Sequence, residues 1–306
     1  MHSISAAVLT TLSLLCASPL AFAADLSFQR SFTASGNVAL DVCTSLGLIH
    51  VYGVDGSNIQ ISGKVHSSTW HILGSSEDDM KQIAAKPPIQ QSGNAIHVGD
   101  RDTCGGHIFR NISIDYEIAV PKNATVIADT GSGDIHVETI SGSLHADTGS
   151  GGIRAKGIGT DSKLETGSGS IYVQAAQGTL KAQTGSGDVS IRDSQVTDAK
   201  LGTGSGDITI STVHGGLKAN AGSGSLTISG LPTSDWKLET GSGSIHFHAD
   251  PNAKFTLDAE SGSGSIDSKL PITVSGHISH GVLRGPVNGG GPIVKMFTGS
   301  GEIDLQ

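Results

Sequence analysis

Apolar residues recur two apart, with polar ones between them, in short segments along most of the chain. One series reads Ile135/Val137, Ile153/Ala155, Ile171/Val173, Val189/Ile191, Ile208/Ile210, Leu226/Ile228 and Ile245/Phe247. Alternation at this period marks strands with one buried face. A second series runs Leu144/Ala146, Ser162/Leu164, Leu180/Ala182, Ala199/Leu201, Leu217/Ala219, Trp236/Leu238 and Leu257/Ala259. Through most of it, a pair with the large residue first stands next to a pair with it second. Layers stacked about 4.8 Å apart would overfill one side and leave a gap on the other if large residues simply lined up. The exchange of large and small therefore predicts that consecutive segments are neighbours in space.

Between the two series stands Gly-Ser-Gly, beginning at Gly131, Gly149, Gly167, Gly185, Gly204, Gly222, Gly241, Gly262 and Gly299. The first six intervals are 18 or 19 residues and the next is 21. The last, 37, reads as two periods with one degenerate turn over Pro271 to Pro292. A fixed period of this length predicts stacked units that cannot bury their apolar faces alone. The expected fold is all-β, a single-stranded β-solenoid of the parallel β-helix type with about 18 residues per coil. The glycines are read as supplying positive-φ corners.

Residues 126–306 form the regular part in this reading, and residues 24–125 an irregular start of the same structure. Val38 to Val42, Leu48 to Val51 and Ile59 to Ile61 are strand-like. Ser75 to Ala85 breaks the alternation. Ser76 and Asp79 have capping spacing, Met80, Ile83 and Ala84 make one apolar stripe, and Pro87-Pro88 ends it. A short helix over 75–86 is expected, covering the N-terminal end or one flank.

Residues 1–23 read as a signal peptide, with an apolar stretch from Ala6 to Leu15 and a cleavage site at Ala21-Phe22-Ala23. Leu15 before Cys16 argues against a lipoprotein signal. No later apolar run is long enough to span a bilayer, so no transmembrane segment is expected. An exported protein follows. The formal charge of −9 and a pI near 5.7 oppose nucleic-acid binding. Outside the signal, Cys43 and Cys104 form an even pair in an oxidising compartment. They are read as one disulfide, worth about 4 kcal/mol in the chain-entropy model.

The run I-S-I-D-Y-E-I-A-V-P at 112–121, then T-V-I-A-D-T-G-S-G-D-I at 125–135 and repeated T-G-S-G-(D/S)-I-x-V, resembles the bacterial "putative adhesin" family of β-strand-repeat proteins. The resemblance covers nearly the whole chain after residue 23. It implies a right-handed single-stranded β-solenoid in the periplasm, on the cell surface or outside the cell. It brings no catalytic residues and no cofactor.

Five lysines share one position of the repeat: Lys163, Lys181, Lys200, Lys218 and Lys237, with His145 before them and Asp258 after. The neighbouring outward column, Asp147, Glu165, Gln183, Gly202, Asn220, Glu239 and Glu260, is acidic at both ends. The net positive stripe is then Lys181, Lys200 and Lys218. It reads either as a linear site for an anionic polysaccharide or cell-envelope component, or as a solvated face. The other face carries His136, Arg154, Tyr172, Ser190, Thr209, Thr227, His246 and Asp267, without repeated chemistry.

Gly-Ser-Gly-Asp at Asp134, Asp188 and Asp207 resembles part of a calcium-binding repeat but offers few oxygens per turn. His246 and His248 lack an evident third ligand, so no metal is expected. The threonines before Gly-Ser-Gly read as a ladder satisfying backbone groups at the turns. Catalytic motifs and long loops bearing paired carboxylates are missing, so the chain reads as a non-catalytic binding or scaffold protein. The alternatives are a glycan-active β-helix lyase or hydrolase, or a structural protein that self-associates end to end through the strand Gly301 to Leu305.

Overall fold

The computed structural model describes residues 26–67, 75–99, 112–274 and 281–306. The expected signal peptide, Cys104 and the side chain of Ser76 lie outside the described residues. No described helix is long and apolar enough to cross a membrane.

The described residues are all-β with one short helix. Its first part holds β1 (Leu26–Thr33), β2 (Ala39–Leu46), β3 (Ile49–Val54), β4 (Asn58–Ser67), α1 (Ser75–Ala85), β5 (Ile89–Ser92), β6 (Ala95–Val98) and β7 (Ile112–Pro121). The repeats then form β8 (Thr125–Ser132), β9 (Ile135–Ile140), β10 (Leu144–Thr148), β11 (Ile153–Ile158), β12 (Ser162–Thr166), β13 (Ile171–Gln174) and β14 (Gln177–Ser186). They continue as β15 (Val189–Ser205), β16 (Ile208–Val213), β17 (Gly216–Ser223), β18 (Leu226–Gly230), β19 (Trp236–Ser242) and β20 (Ile245–Ala249). The last are β21 (Phe255–Ser263), β22 (Ile266–Ser268), β23 (Val282–Val287), β24 (Ile293–Ser300) and β25 (Ile303–Leu305).

These strands stack in two ladders, an arrangement consistent with a β-solenoid. One runs β5-β6-β2-β8-β10-β12-β14-β15-β17-β19-β24-β21-β23. The other runs β1-β4-β7-β3-β9-β11-β13-β15-β16-β18-β20-β25-β22. Pairing is parallel except near the ends, where β1–β4, β4–β7, β5–β6 and β21–β23 are antiparallel. The helix packs on β4 and β1, with Met80 and Ile83 buried. Arg30 donates to the Ala85 carbonyl at its C-terminal end (2.9 Å).

The interior carries out the predicted exchange of volumes. Down one buried column stand Val126, Leu144, Ser162, Leu180, Ala199 and Leu217, and down the next Ala128, Ala146, Leu164, Ala182, Leu201 and Ala219. Trp236 breaks the alternation, and aromatic packing follows it. Its ring meets Phe247 at 5.6 Å, Phe247 meets Phe255 at 5.7 Å, and its indole N–H donates to the Gly215 carbonyl.

Two expectations need correction. The stretch from Pro271 to Pro292 is no degenerate coil in line with the others. Its strand β23 turns back antiparallel on β21, and β24 and β25 then return to lie between the coil of β19–β20 and that of β21–β22. Leu257/Ala259 therefore follows Val294/Met296, not Trp236/Leu238. The strand Gly301 to Leu305, read as an uncapped end, is enclosed on both sides, so end-to-end association through it has no free edge to use.

Gly-Ser-Gly supplies a positive φ in only some of the coils. In the coils at Gly149, Gly167 and Gly185 neither glycine has a positive φ, whereas Gly206, Gly224, Gly264 and Gly301, the second glycines of later coils, have φ between 155° and 159°. Backbones there approach too closely for a side chain: a Cβ on Gly151 or Gly169 would sit on the carbonyl oxygen of the glycine one coil before. Further positive-φ positions lie at Thr139, Gly157, Ala175, Asp193 and Thr212, with φ between 50° and 65°. Mostly non-glycine residues occupy these, so composition did not point to them.

Candidate functional site

The lysines project from the ladder that contains β12, because each sits between two inward residues of a strand. Parallel register places Lys163 opposite Lys181, Lys181 opposite Lys200, Lys200 opposite Lys218 and Lys218 opposite Lys237. The return of β24 adds Lys295 beside Lys237, and only then comes Asp258. The row is therefore six lysines on consecutive rungs. Lys295 was missed because position along the chain stood in for position along the stack. The signal was present: Lys295-Met296-Phe297-Thr298-Gly299 aligns with Lys237-Leu238-Glu239-Thr240-Gly241.

Carboxylates temper this row. Glu165 bridges Lys163 at 2.7 Å and Lys181 at 2.8 Å. Hydrogen bonds from these two ammonium groups hold its carboxyl below the usual carboxylate range. Lys237 pairs with Glu239 at 2.8 Å, and Lys200 lies 3.6 Å from Asp198. Lys218 and Lys295 have no carboxylate within 4 Å among the described residues. The acidic column flanking the row does what a solvated face requires, yet leaves free cations at two rungs.

Beside the lysines runs a groove of about 750 Å³, lined by Asp147, Glu165, Gln183, Gly202 and Asn220. Gly202 has no side chain to fill the column between Gln183 and Asn220, and the gap opens onto Leu201. Further along the same column Phe297 is exposed between Glu239 and Glu260. The groove offers amides in the middle and carboxylates at one end.

Hydroxyl and carboxylate ladders at the turns account for two other candidates. Thr148, Thr166, Thr184, Thr203, Thr240 and Thr298 donate to glycine carbonyls of the adjoining coil at 2.7–2.9 Å. Asp134, Asp188 and Asp207 each accept a backbone N–H from the following coil at 2.8–2.9 Å. These aspartates are structural acceptors. Among the described residues no group of three or more His, Cys, Asp or Glu is placed to hold a metal ion. His246 lies 3.9 Å from Asp304.

The sequence profile of the Toastrack DUF4097 family matches residues 22–306, and the chain belongs to that family. Comparison with characterised proteins gives no match. Among solved structures, a "putative lipid binding protein" from Parabacteroides distasonis is 14% identical, with a TM-score of 0.51 over 92% of this chain and 96% of that one. A "putative adhesin" from the same organism is 8% identical, with a TM-score of 0.50 over 91% and 96%. Another "putative adhesin", from Bacteroides fragilis, is 15% identical with a TM-score of 0.46 over 92% and 97%. At these identities the likeness concerns the fold.

Proposed function

We propose that this Toastrack DUF4097 protein is an exported, non-catalytic binding protein that holds an extended anionic polymer along its lysine row. The polymer would be an acidic polysaccharide or similar cell-envelope material. The observation that carries this reading is the register of Lys163, Lys181, Lys200, Lys218, Lys237 and Lys295 on six consecutive rungs. With rungs about 4.8 Å apart, cations are presented at the regular spacing a repeating polyanion requires. Each exposed contact is worth about 1 kcal/mol or less in water, so affinity would accumulate over rungs and fall with salt.

Several features support the rest of the reading. Glu165, Glu239 and the turn aspartates are engaged by lysines or backbone amides, which leaves little acid–base chemistry along the row. Hydrogen-bonded partners eighteen residues apart support a single-chain solenoid of the parallel β-helix type with a coil of that length. Export rests on residues 1–23 as a signal peptide, and the regular coils are read as beginning near residue 126. The Cys43–Cys104 disulfide fits a buried Cys43 whose backbone carbonyl meets Gly99, five residues before Cys104.

The test is retention on immobilised polygalacturonate over a salt gradient. Replacing Lys181, Lys200 and Lys218 with Gln should move elution to clearly lower salt. The same number of Lys→Gln changes at Lys64, Lys86 and Lys254 should move it little. Equal elution of the two triple variants would refute a site on the row.

A further inference from the structure

The other ladder carries a cluster of cations that the lysine row does not use. On β11, Arg154 and Lys156 point outward from one rung. Tyr172 and Gln174 lie opposite them on β13, and Ser190 and Arg192 opposite those on β15. Arg154, Lys156 and Arg192 are exposed, and none has a carboxylate within 4 Å among the described residues. This contrasts with the row across the molecule, where Glu165, Asp198 and Glu239 take up four of six lysines.

The middle of the cluster is ordered. The Arg154 guanidinium lies 5.9 Å from the Tyr172 ring centroid, a cation–π distance. The Tyr172 hydroxyl donates to Gln174 Oε1 at 3.4 Å, and Gln174 Nε2 donates to Asp193 Oδ2 at 3.3 Å. On β9, His136 lies opposite Arg154 and Glu138 opposite Lys156, with His50 and Tyr52 beyond them on β3. Burial, and then the neighbouring Arg154 charge, hold the His136 imidazole below its usual value. It therefore faces the cluster as a neutral hydrogen-bonding group. Away from β3 the cations stop: the next outward positions after Arg192 are Thr209, Ser211, Thr227 and Ser229.

We infer that this patch is a second binding site, for one anionic sugar unit carrying a carboxylate or sulfate. A guanidinium pairs two N–H donors with two oxygens of a carboxylate or of a sulfate. Tyr172 supplies an apolar ring edge and Gln174 an amide for hydroxyl groups. The confinement of the cations to three rungs selects a compact ligand over a long polymer. The site shares no residue with the lysine row, so either can fail without the other.

Isothermal titration of the full chain with a galacturonate trimer and with a heparin-derived sulfated disaccharide tests this. Saturable binding of at least one is expected. Arg154→Gln or Arg192→Gln should weaken it about tenfold or more, as loss of a charged hydrogen bond does. Tyr172→Ala should bind more weakly, while Lys254→Gln leaves affinity unchanged. Absence of saturable binding, arginine variants that bind like the parent, or an equal loss in Lys254→Gln would each overturn the assignment. Circular dichroism matching the parent shows that any loss is not unfolding.

Discussion

At the scale of single residues, the most informative positions are exceptions to a column. Six threonines hand a hydroxyl proton to a glycine carbonyl of the adjoining coil, but Ala221 stands in the same column between Thr203 and Thr240. Its place is buried, and threonine fits on the rungs to either side. Ala221→Thr should therefore add the missing bond to the coil of Gly206 and raise stability by about 1 kcal/mol. Ser162 is the converse case. It fills a small position between Leu144 and Leu180, and its hydroxyl is buried with no hydrogen-bond partner. Ser162→Ala keeps the volume and removes the unmet polar group, so it should be neutral or stabilising. Denaturant melts of both variants check this pair; destabilisation of Ala221→Thr by more than its expected gain would mean that the column lacks room. Glu165 adds a pH term of fixed sign. Its folded value is depressed, so its stabilising contribution is present above the ordinary carboxylate range and disappears as pH falls through the lower folded value.

At the scale of elements, the repeat was legible wherever neighbours in the chain are neighbours in the stack. The volume exchange from Leu144 to Leu217, the outward lysines and the short helix all follow from local period and residue size. The return of β24 and β25 was not legible, because Val294/Met296 would fit many rungs equally well. Nothing local distinguishes the rung after β19 from the rung after β21. Beside the insertion Trp236, Phe247 and Phe255 pack on one another, and Asp235 accepts the backbone N–H of Ile293 at 2.8 Å. Removal of β24 and β25 would leave four strand edges unpaired, those of β19, β20, β21 and β22. Exposed edges of this kind pair with other chains. A chain ending at Gly291 should therefore lose monodispersity in size-exclusion chromatography even where circular dichroism still reports strands. Recovery of a stable monomer would show that β21 closes onto β19 directly, as the unbroken repeat would suggest.

At the scale of the whole molecule, coils that touch only their neighbours make stability a local quantity. A rung in the middle is held on both sides, whereas β5 and β22 at the ends are held on one. Backbone amides of β11 to β17 should therefore exchange with solvent most slowly, and protection should decline toward either end. The two ends differ in how they are tied. At the first, β2 lies against β6 and β8, and the proposed Cys43–Cys104 link would fasten the chain that follows β6 back to β2. At the other, β23 is held by its pairing with β21 and by Arg284, whose guanidinium contacts Asp258. Reduction should thus speed exchange in β2 and β6 while β11 to β17 and the β21–β23 pair remain as they were. The measurement is hydrogen exchange read by mass spectrometry with and without a thiol reductant, with non-reduced peptide mapping to identify the cross-link. Free thiols at Cys43 and Cys104 before reduction would remove the link. Equal acceleration along all coils would instead mean that the stack melts as one cooperative unit, and that its lysine row is only as ordered as its weakest end.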